Sequence, residues 1–167
     1  MKLQLPANTT PRQMAIVGIA VALAAPMEGL RQYAYYDPPG VLTVCYGHTG
    51  PDVRKGVLYS KAQCEALLGA DMLKAVKAVE SCAPGLSWQT SAALADAVLN
   101  LGPRIVCDAR PAPNGSTLAR RLKVGDVVGA CQQLVRWDKA KIAGVFVALP
   151  GLTKRRKLEE ALCLSGI

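Results

Sequence analysis

The sequence predicts an α+β fold: an apolar N-terminal helix, then a small sheet, a long connecting helix and a mainly helical C-terminal half. Three observations carry this prediction. An uncharged run fills residues 13–27, turn and β-favouring residues are concentrated in 33–59, and Ala- and Leu-rich windows dominate after residue 60. With 167 residues, of which 51% are apolar, the chain is long enough to bury a core of its own.

The uncharged run QMAIVGIAVALAAPM directly precedes the first acid, Glu28. Thr10 and Pro11 predict the start of a helix, because a threonine hydroxyl caps free amides and proline suits the first turn. Three interpretations remain open: a buried core helix, a cleaved signal peptide, and a helix that enters a membrane marginally and can leave it. Six of the fourteen residues in 14–27 are Ala or Gly, so the run is a weak membrane span.

Turn and strand signals alternate after the run. Pro38-Pro39-Gly40 predicts a turn and Val41–Tyr46 a strand, within an antiparallel sheet of two or three short strands. Ser60 and Gln63 form a capping box, which predicts the start of a long helix that ends near Ser81. Further helices are predicted over 88–101, 116–123, 126–137 and 152–163, with a loop over 108–115, whereas residues 139–151 are ambiguous.

Positive charge is concentrated in the C-terminal part of the chain. Residues 104–167 hold 12 Lys or Arg against 5 Asp or Glu, and residues 1–103 hold 8 against 7. DNA, RNA, anionic lipid and bacterial cell wall are all polyanions that such a surface attracts, and an ordinary solvated helix face looks the same. The basic part lacks interleaved aromatic residues for base stacking, so we expect no nucleic-acid partner.

Six cysteines, at positions 45, 64, 82, 107, 131 and 163, are many for a chain of this size. None lie in a CxxC pair, which argues against zinc ribbons and redox motifs. Their even number and wide spacing favour three disulfides in an oxidising compartment over six reduced core cysteines. We predict the pairs Cys45–Cys64, Cys82–Cys107 and Cys131–Cys163, each of which would tie neighbouring elements together.

Two acids and a hydroxyl, Glu28, Asp37 and Thr43, stand close together in the sequence. Glycoside cleavage commonly uses two carboxyl groups: one donates a proton to the leaving oxygen, and one stays ionised to activate water or stabilise the sugar cation. Glu28 ends an apolar run, where desolvation favours a neutral carboxyl group, and Asp37 stands in a polar turn. By spacing alone, an ordinary polar hairpin is the commoner explanation of these residues.

The stretch EGLRQYAYYDPPGVLTVCYGHTG resembles the signature of the phage-type lysozymes, glycoside hydrolase family 24. The family's Glu-x8-Asp-x5-Thr triad matches Glu28, Asp37 and Thr43 without gaps. GSTLARRL at 115–122 and GLTKRRKLE at 151–159 are similar to two further family elements. VCYGHTG, together with the weak apolar run, is similar to signal-anchor-release endolysins of the phage 21 type.

This resemblance implies a lysozyme-like fold and hydrolysis of the β-1,4 bond between N-acetylmuramic acid and N-acetylglucosamine in peptidoglycan, which lyses a bacterial host. Glu28 would be the acid, Asp37 the general base or stabiliser, and Thr43 the hydroxyl that positions water. The resemblance implies no metal and no cofactor. We expect a monomer whose partner is the peptidoglycan glycan strand.

The resemblance also implies roles for residues outside the triad. Residues that line the saccharide cleft would be Thr49, Leu99, Asn100 and Thr117. His48, the only histidine, would pack beneath the site in an ion pair with Asp71. Two stretches depart from the family: ALADAVLNLG at 93–102 replaces aromatic residues, and 137–150 departs from a Trp-x-x-Ala-Gly-Gly pattern.

The position of Glu28 suggests topological control. We expect residues 1–27 to form a signal-anchor-release helix and residues 28–167 the muramidase domain. While residues 14–26 lie in the inner membrane, Glu28 would be held at the membrane edge, away from Asp37. After depolarisation the helix would leave the bilayer and pack on the helical half, and the enzyme would become active in the periplasm. Thiol switching is not expected, because the run contains no cysteine.

A rival interpretation comes from another class of protein. A cationic membrane- or wall-binding lytic protein without catalysis would explain the basic half and the apolar run. It would not explain the spacing of the two acids and the threonine.

Overall fold

The computed structural model describes residues 3–37, 40–142 and 144–167, and it has the predicted α+β fold. The chain divides into two compact units, Met1–Lys74 and Ala75–Ile167. The elements in chain order are α1 (Pro11–Glu28), β1 (Arg31–Tyr36), β2 (Leu42–Cys45), β3 (His48–Thr49), α2 (Lys61–Cys82), α3 (Trp88–Leu101), α4 (Arg104–Cys107), α5 (Thr117–Lys123), α6 (Val127–Cys131), a 3-10 helix (Leu134–Arg136), β4 (Lys139–Ile142), β5 (Val145–Ala148) and α7 (Pro150–Leu164). Pro38 and Pro39 of the predicted turn lie outside the described residues, as do Met1, Lys2 and Ala143.

The uncharged run forms α1, which begins where the sequence predicts. The Thr10 hydroxyl accepts a hydrogen bond from the Gln13 amide, and the Gln13 side chain accepts one from the Thr10 amide, each at 3.2 Å. The buried face of the helix consists of Ile16, Val17, Ala20, Val21 and Ala24. Within residues 3–37, 40–142 and 144–167, no helix has the combination of length and hydropathy that crossing a membrane requires.

A three-stranded antiparallel sheet follows α1, in the order β1-β2-β3. Tyr35 pairs with Thr43, and Thr43 pairs with Thr49, so the central strand carries the predicted water-positioning threonine. The strand predicted over 41–46 is shorter, Leu42–Cys45. Buried residues behind the sheet form a small core of Val44, Cys45, Val53 and Cys64.

Helix α2 begins at the predicted capping box. The Ser60 hydroxyl accepts from the Gln63 amide at 3.2 Å, and the Gln63 side chain accepts from the Ser60 amide at 2.7 Å. The Cys45–Cys64 disulfide ties the helix to β2. On another part of the helix, Leu3 and Leu5 of the N-terminal segment pack over Gly69, where a Cβ atom would lie 3.3 Å from a methyl group of each leucine.

The second unit is built mainly from α3 and α7, which pack against each other. The disulfides Cys82–Cys107 and Cys131–Cys163 tie its elements, so all three predicted pairings are confirmed. Ser87 caps α3 through the Thr90 amide, and Ser116 caps α5 through the Ala119 amide. Helix α4, directly after Gly102-Pro103, was not predicted.

The prediction of one continuous helix over 126–137 is wrong. Asp126 caps α6, but α6 ends at Cys131, and the chain then tightens into 3-10 turns. Three amides bond three residues back: Gln133 to the Ala130 carbonyl, Arg136 to the Gln133 carbonyl and Trp137 to the Leu134 carbonyl. The ambiguous residues 139–148 form an antiparallel hairpin of β4 and β5, and α7 starts at Pro150.

Candidate active site

Glu28 is the last residue of α1, where Gly29, with a φ of +68°, ends the helix. A left-handed φ of this size favours glycine, because a Cβ atom would meet the following carbonyl. The Glu28 side chain is half-buried and reaches the turn between β2 and β3. Its Oε2 lies 3.5 Å from the position of a Cβ atom at Gly47. The predicted acid is therefore placed against the sheet.

Asp37 directly follows β1 and is fixed by the turn that it begins. Its Oδ1 accepts a hydrogen bond from the Val41 amide at 2.7 Å, and its backbone amide donates to the Val41 carbonyl at 3.0 Å. Its own carbonyl accepts from the Gly40 amide at 2.8 Å. Hydrogen bonds of an Asp side chain to the backbone a few residues later are typical of turns, and here they orient the carboxylate.

Thr43 is buried in the central strand β2. Its hydroxyl donates to the Val41 carbonyl at 3.1 Å. Because the donor proton is used there, the hydroxyl oxygen presents its lone pairs as acceptors to any further partner, such as a water molecule. The Asp37 side chain thus binds the Val41 amide, and the Thr43 side chain binds the Val41 carbonyl, so both are anchored on one residue.

His48 lies in β3 and is 8% exposed. Its Nδ1 is 2.5 Å from Oδ2 of Asp71, the partner that the sequence predicts, and its Nε2 is 3.2 Å from Asp52 Oδ2. Asp71 also contacts Lys74, at 3.0 Å. A backbone hydrogen bond, assisted by His48, lowers the pKa of Asp52 despite some desolvation. The imidazole therefore links the sheet, the following loop and α2.

The other predicted saccharide-binding residues are divided between the units. Thr49 is exposed on β3 in the first unit. Leu99 and Asn100, half-buried near the end of α3, and the exposed Thr117, the first residue of α5, belong to the second. The buried Oδ1 of Asn100 accepts no hydrogen bond from the described residues. Thr117 Oγ1 accepts from Arg120 Nη2 at 2.7 Å.

The second unit also contains a buried cluster of charged residues. Arg155 clasps Asp96 through two hydrogen bonds, of 2.9 and 2.7 Å, and Arg156 contacts Glu159. Desolvation, together with a hydrogen bond to Asp96, raises the pKa of Glu159 to about 9, although Arg156 and Arg155 oppose the shift. Burial thus favours the protonated form of Glu159, against the pull of the two guanidinium groups that contact it.

Sequence reasoning missed residues that support the candidate site and one residue of the buried charge cluster in the second unit. Val41 works through its backbone, so no side-chain pattern could have indicated it. Asp52 lies four residues after His48, and an acid at this spacing could have been predicted as a second partner of the imidazole. Asp96 is the single charge in the Ala-rich helix α3, and a lone acid in an apolar helix is a signal for a buried partner.

The phage lysozyme family model matches residues 25–159 of the chain. The SAR-endolysin of Bacteriophage PS119 is 37% identical over 172 residues, which cover 96% of both chains. The SAR-endolysin of Enterobacteria phage P21 is 35% identical over 163 residues, which cover 91% of this chain and 92% of that protein. The solved endolysin from Escherichia coli O157:H7 phage FAHEc1 has a TM-score of 0.73 at 27% identity, covering 99% of this chain and 98% of that one. The family that the motifs indicate is confirmed by these matches, and the chain belongs to the phage lysozyme family.

Proposed function

We propose that the chain is a SAR-endolysin whose residues 28–167 form a muramidase domain. Its reaction is hydrolysis of the β-1,4 bond between N-acetylmuramic acid and N-acetylglucosamine in peptidoglycan, and its result is lysis of the bacterial host. The observation that carries this proposal is the shared anchoring of Asp37 and Thr43 on Val41, in the same compact unit as Glu28.

Each member of the triad has a chemical task in this proposal. Glu28 donates its proton to the glycosidic oxygen as the C–O bond breaks, so the leaving sugar departs as a neutral alcohol. Asp37, oriented by the hydrogen bond from the Val41 amide, takes a proton from the attacking water or stabilises the sugar cation. Thr43 accepts a hydrogen bond from that water. The products are two shorter glycan strands, one of which ends in a new reducing muramic acid.

Residues outside the triad hold the substrate or the site in place. Thr49, Leu99, Asn100 and Thr117 contact the saccharide. His48, held by Asp71, supports the sheet and takes no part in the reaction. The domain works as a monomer on the glycan strand.

Digestion of purified peptidoglycan tests the reaction. We expect new reducing ends from the wild type, and a rate about 10²–10⁴-fold lower from Glu28→Gln and from Asp37→Asn. Glu160→Gln makes the same change outside the site and should be as active as the wild type. After borohydride reduction and acid hydrolysis, muramic acid should be recovered in reduced form and glucosamine should not. Reduced glucosamine would identify a different glycosidase.

The rival function, lysis by charge without catalysis, gives the opposite result. If the protein lysed cells by positive charge alone, the Glu28→Gln variant would kill cells as well as the wild type does, because this change removes no positive charge. It would also release no reducing ends from purified peptidoglycan.

The composition of α1 supports the proposal that it is also a releasable membrane anchor. The face opposite the buried residues exposes Met14, Gly18, Ala22 and Pro26, none of them charged. A helix of a soluble protein ordinarily has charged and polar residues on its outer face, whereas a bilayer requires apolar residues all round. Residues 1–27 would tether the inactive chain to the inner membrane, and the released enzyme would act in the periplasm.

Lysis timing tests the anchor. Replacing Gly18 and Ala22 with Leu strengthens the span, and both positions are exposed, so the released fold keeps its packing. Ala20 is fully buried, and a larger residue there would disturb the folded protein as well. We expect the Gly18→Leu, Ala22→Leu variant to stay in the membrane fraction and to delay lysis. The matched Gly18→Ser, Ala22→Ser variant should not, and equal timing in the two variants would contradict the anchor.

A further inference from the structure

The hairpin of β4 and β5 has one face without a polar side chain. Its register pairs Ala140 with Val147 and Ile142 with Val145. Directly opposite residues of an antiparallel pair lie on the same face, and alternate residues along each strand share it. Ala140, Ile142, Val145 and Val147 therefore form one continuous apolar surface, which we call the hairpin face.

The hairpin face and the tip of the hairpin are exposed. Ile142 is 50% exposed and Val145 is 64% exposed, and Phe146, the only phenylalanine of the chain, is 69% exposed on the other face. A lone two-stranded hairpin is marginally stable in water, and exposed apolar residues that cluster in one place mark a binding surface. The described residues leave Ile142, Val145 and Phe146 largely uncovered, so an apolar partner would stabilise the hairpin.

The charged side chains on the hairpin strands are all positive, whereas Asp138, at the base of the hairpin, accepts a hydrogen bond from the Thr153 hydroxyl at 2.9 Å. Lys139 and Lys141 lie on the same face as Phe146, and Lys154 and Lys157 are exposed on the adjoining first turns of α7. No acidic residue occurs between positions 139 and 158. A second copy of this chain would bring the same positive charge, and with a net charge of +8 the two copies would repel each other. An apolar tip surrounded by lysines fits the surface of an anionic phospholipid bilayer.

We propose that the hairpin of residues 139–148 binds anionic membranes by inserting Ile142, Val145 and Phe146 below the headgroups. Lysines 139, 141, 154 and 157 contact the lipid phosphates, and the phenylalanine ring lies at the interface, where aromatic residues are favoured. This contact is separate from α1 and does not depend on muramidase activity. It holds the released protein at the membrane after the anchor helix has folded into the soluble form.

Vesicle binding by the purified full-length chain tests the proposal. We expect co-sedimentation with vesicles of phosphatidylglycerol and phosphatidylethanolamine and little with phosphatidylcholine alone. Val145→Ser with Phe146→Ser should weaken binding by about tenfold or more, since two apolar side chains leave the bilayer. The control is Val124→Ser, which removes an even more exposed apolar residue elsewhere in the second unit. Both variants should release reducing ends from purified peptidoglycan as fast as the wild type.

Hydrogen exchange locates the contact, because α1 could also bind lipid. We expect vesicles to protect the amides of residues 139–148. Protection confined to α1, or equal binding by the wild type and the Val145→Ser, Phe146→Ser variant, would overturn the proposal. So would a concentration-dependent dimer that this variant abolishes, since the hairpin would then bind a second copy. Loss of peptidoglycan hydrolysis in the wild type would contradict the muramidase and leave the vesicle result standing.

Discussion

Glu28 and Gly47 are neighbours in the folded protein: Glu28 Oε2 lies 3.5 Å from where a Cβ atom of residue 47 would be. Gly47 also has a left-handed φ of +86°. Gly47→Ala would therefore strain the turn, by about 1–2 kcal/mol, and would place a methyl group against the acid. We expect a less stable protein whose kcat on peptidoglycan is also reduced, because the methyl group restricts the Glu28 carboxyl.

Gly56 provides the matched control for this substitution. Its φ of +79° imposes similar strain on alanine, but nothing lies within 4 Å of a Cβ atom there. Gly56→Ala should cost a similar free energy of unfolding and leave kcat unchanged. Equal kcat for the two variants would show that the turn, and not the contact with Glu28, sets the effect.

Thr43 should be needed for its hydroxyl and not for its shape. Thr43→Val keeps the volume but removes one of the two donors to the Val41 carbonyl, the other being the Asp37 amide, which costs about 1 kcal/mol of stability. We expect a far larger loss in kcat, because the hydroxyl that positions the attacking water relative to Asp37 is gone. Thr43→Ser restores a hydroxyl and should recover most of the activity. If Thr43→Ser is as inactive as Thr43→Val, the methyl group and not the hydroxyl is what the site requires.

The two acids beside His48 should contribute unequally to stability. Asp71 is largely buried against the imidazole at 2.5 Å, whereas Asp52 is 61% exposed and lies at 3.2 Å. We expect Asp71→Asn to lower the free energy of unfolding by about 1–3 kcal/mol and Asp52→Asn by less than about 1 kcal/mol. Chemical denaturation measures both values, and the combination of each with His48→Gln isolates the pair. A larger cost for Asp52→Asn would reverse the assignment of the main partner.

Local chemistry explains which parts of this structure could be predicted. Thr10, Ser60 and Ser116 each satisfy amides at the start of their own helix, so a few neighbouring residues determine where α1, α2 and α5 begin. The end of α6 could not be found in this way. After Cys131 the helical pattern continues in the sequence, but the chain turns into a 3-10 helix, and the Cys131–Cys163 bond joins this region to α7. Such a contact across 32 residues has no local signal.

The hairpin and the triad show the same contrast. Polar and apolar residues alternate along β4, but β5 has apolar residues on both of its faces, and all four residues of β5 are exposed. The hydrophobic periodicity of a strand that packs on a core is therefore lacking. The predicted triad, in contrast, comes from a family motif and not from physics local to each residue. That motif predicts Glu28, Asp37 and Thr43, while the contacts of Asp37 and Thr43 with Val41 are seen only in the folded backbone.

Glu159 should make the protein less stable as the pH rises. Its pKa is about 9 in the folded protein, against 4.5 ordinarily, so between these values the folded state holds a proton that the unfolded chain has released. Stability therefore decreases with pH across this window. Glu159→Gln removes the titrating carboxyl and should reduce the dependence, while Glu160→Gln should keep it. Denaturation midpoints at about pH 5, 7 and 9 measure the slope, and an unchanged slope in Glu159→Gln would mean that Glu159 is ionised.

Leu3 and Leu5 should stabilise the form of the protein in which α1 is folded outside a membrane. Both are half-buried on α2, over Gly69, and a chain anchored through residues 14–26 would hold them on the other side of the bilayer. We expect Leu3→Ser with Leu5→Ser to lower the free energy of unfolding of the purified protein by about 1–3 kcal/mol, since two apolar contacts are lost. Ala7→Ser, an exposed change in the same segment, should have no effect. Thermal denaturation measures the difference, and equal melting temperatures for the two variants would show that the segment does not contribute to the released fold.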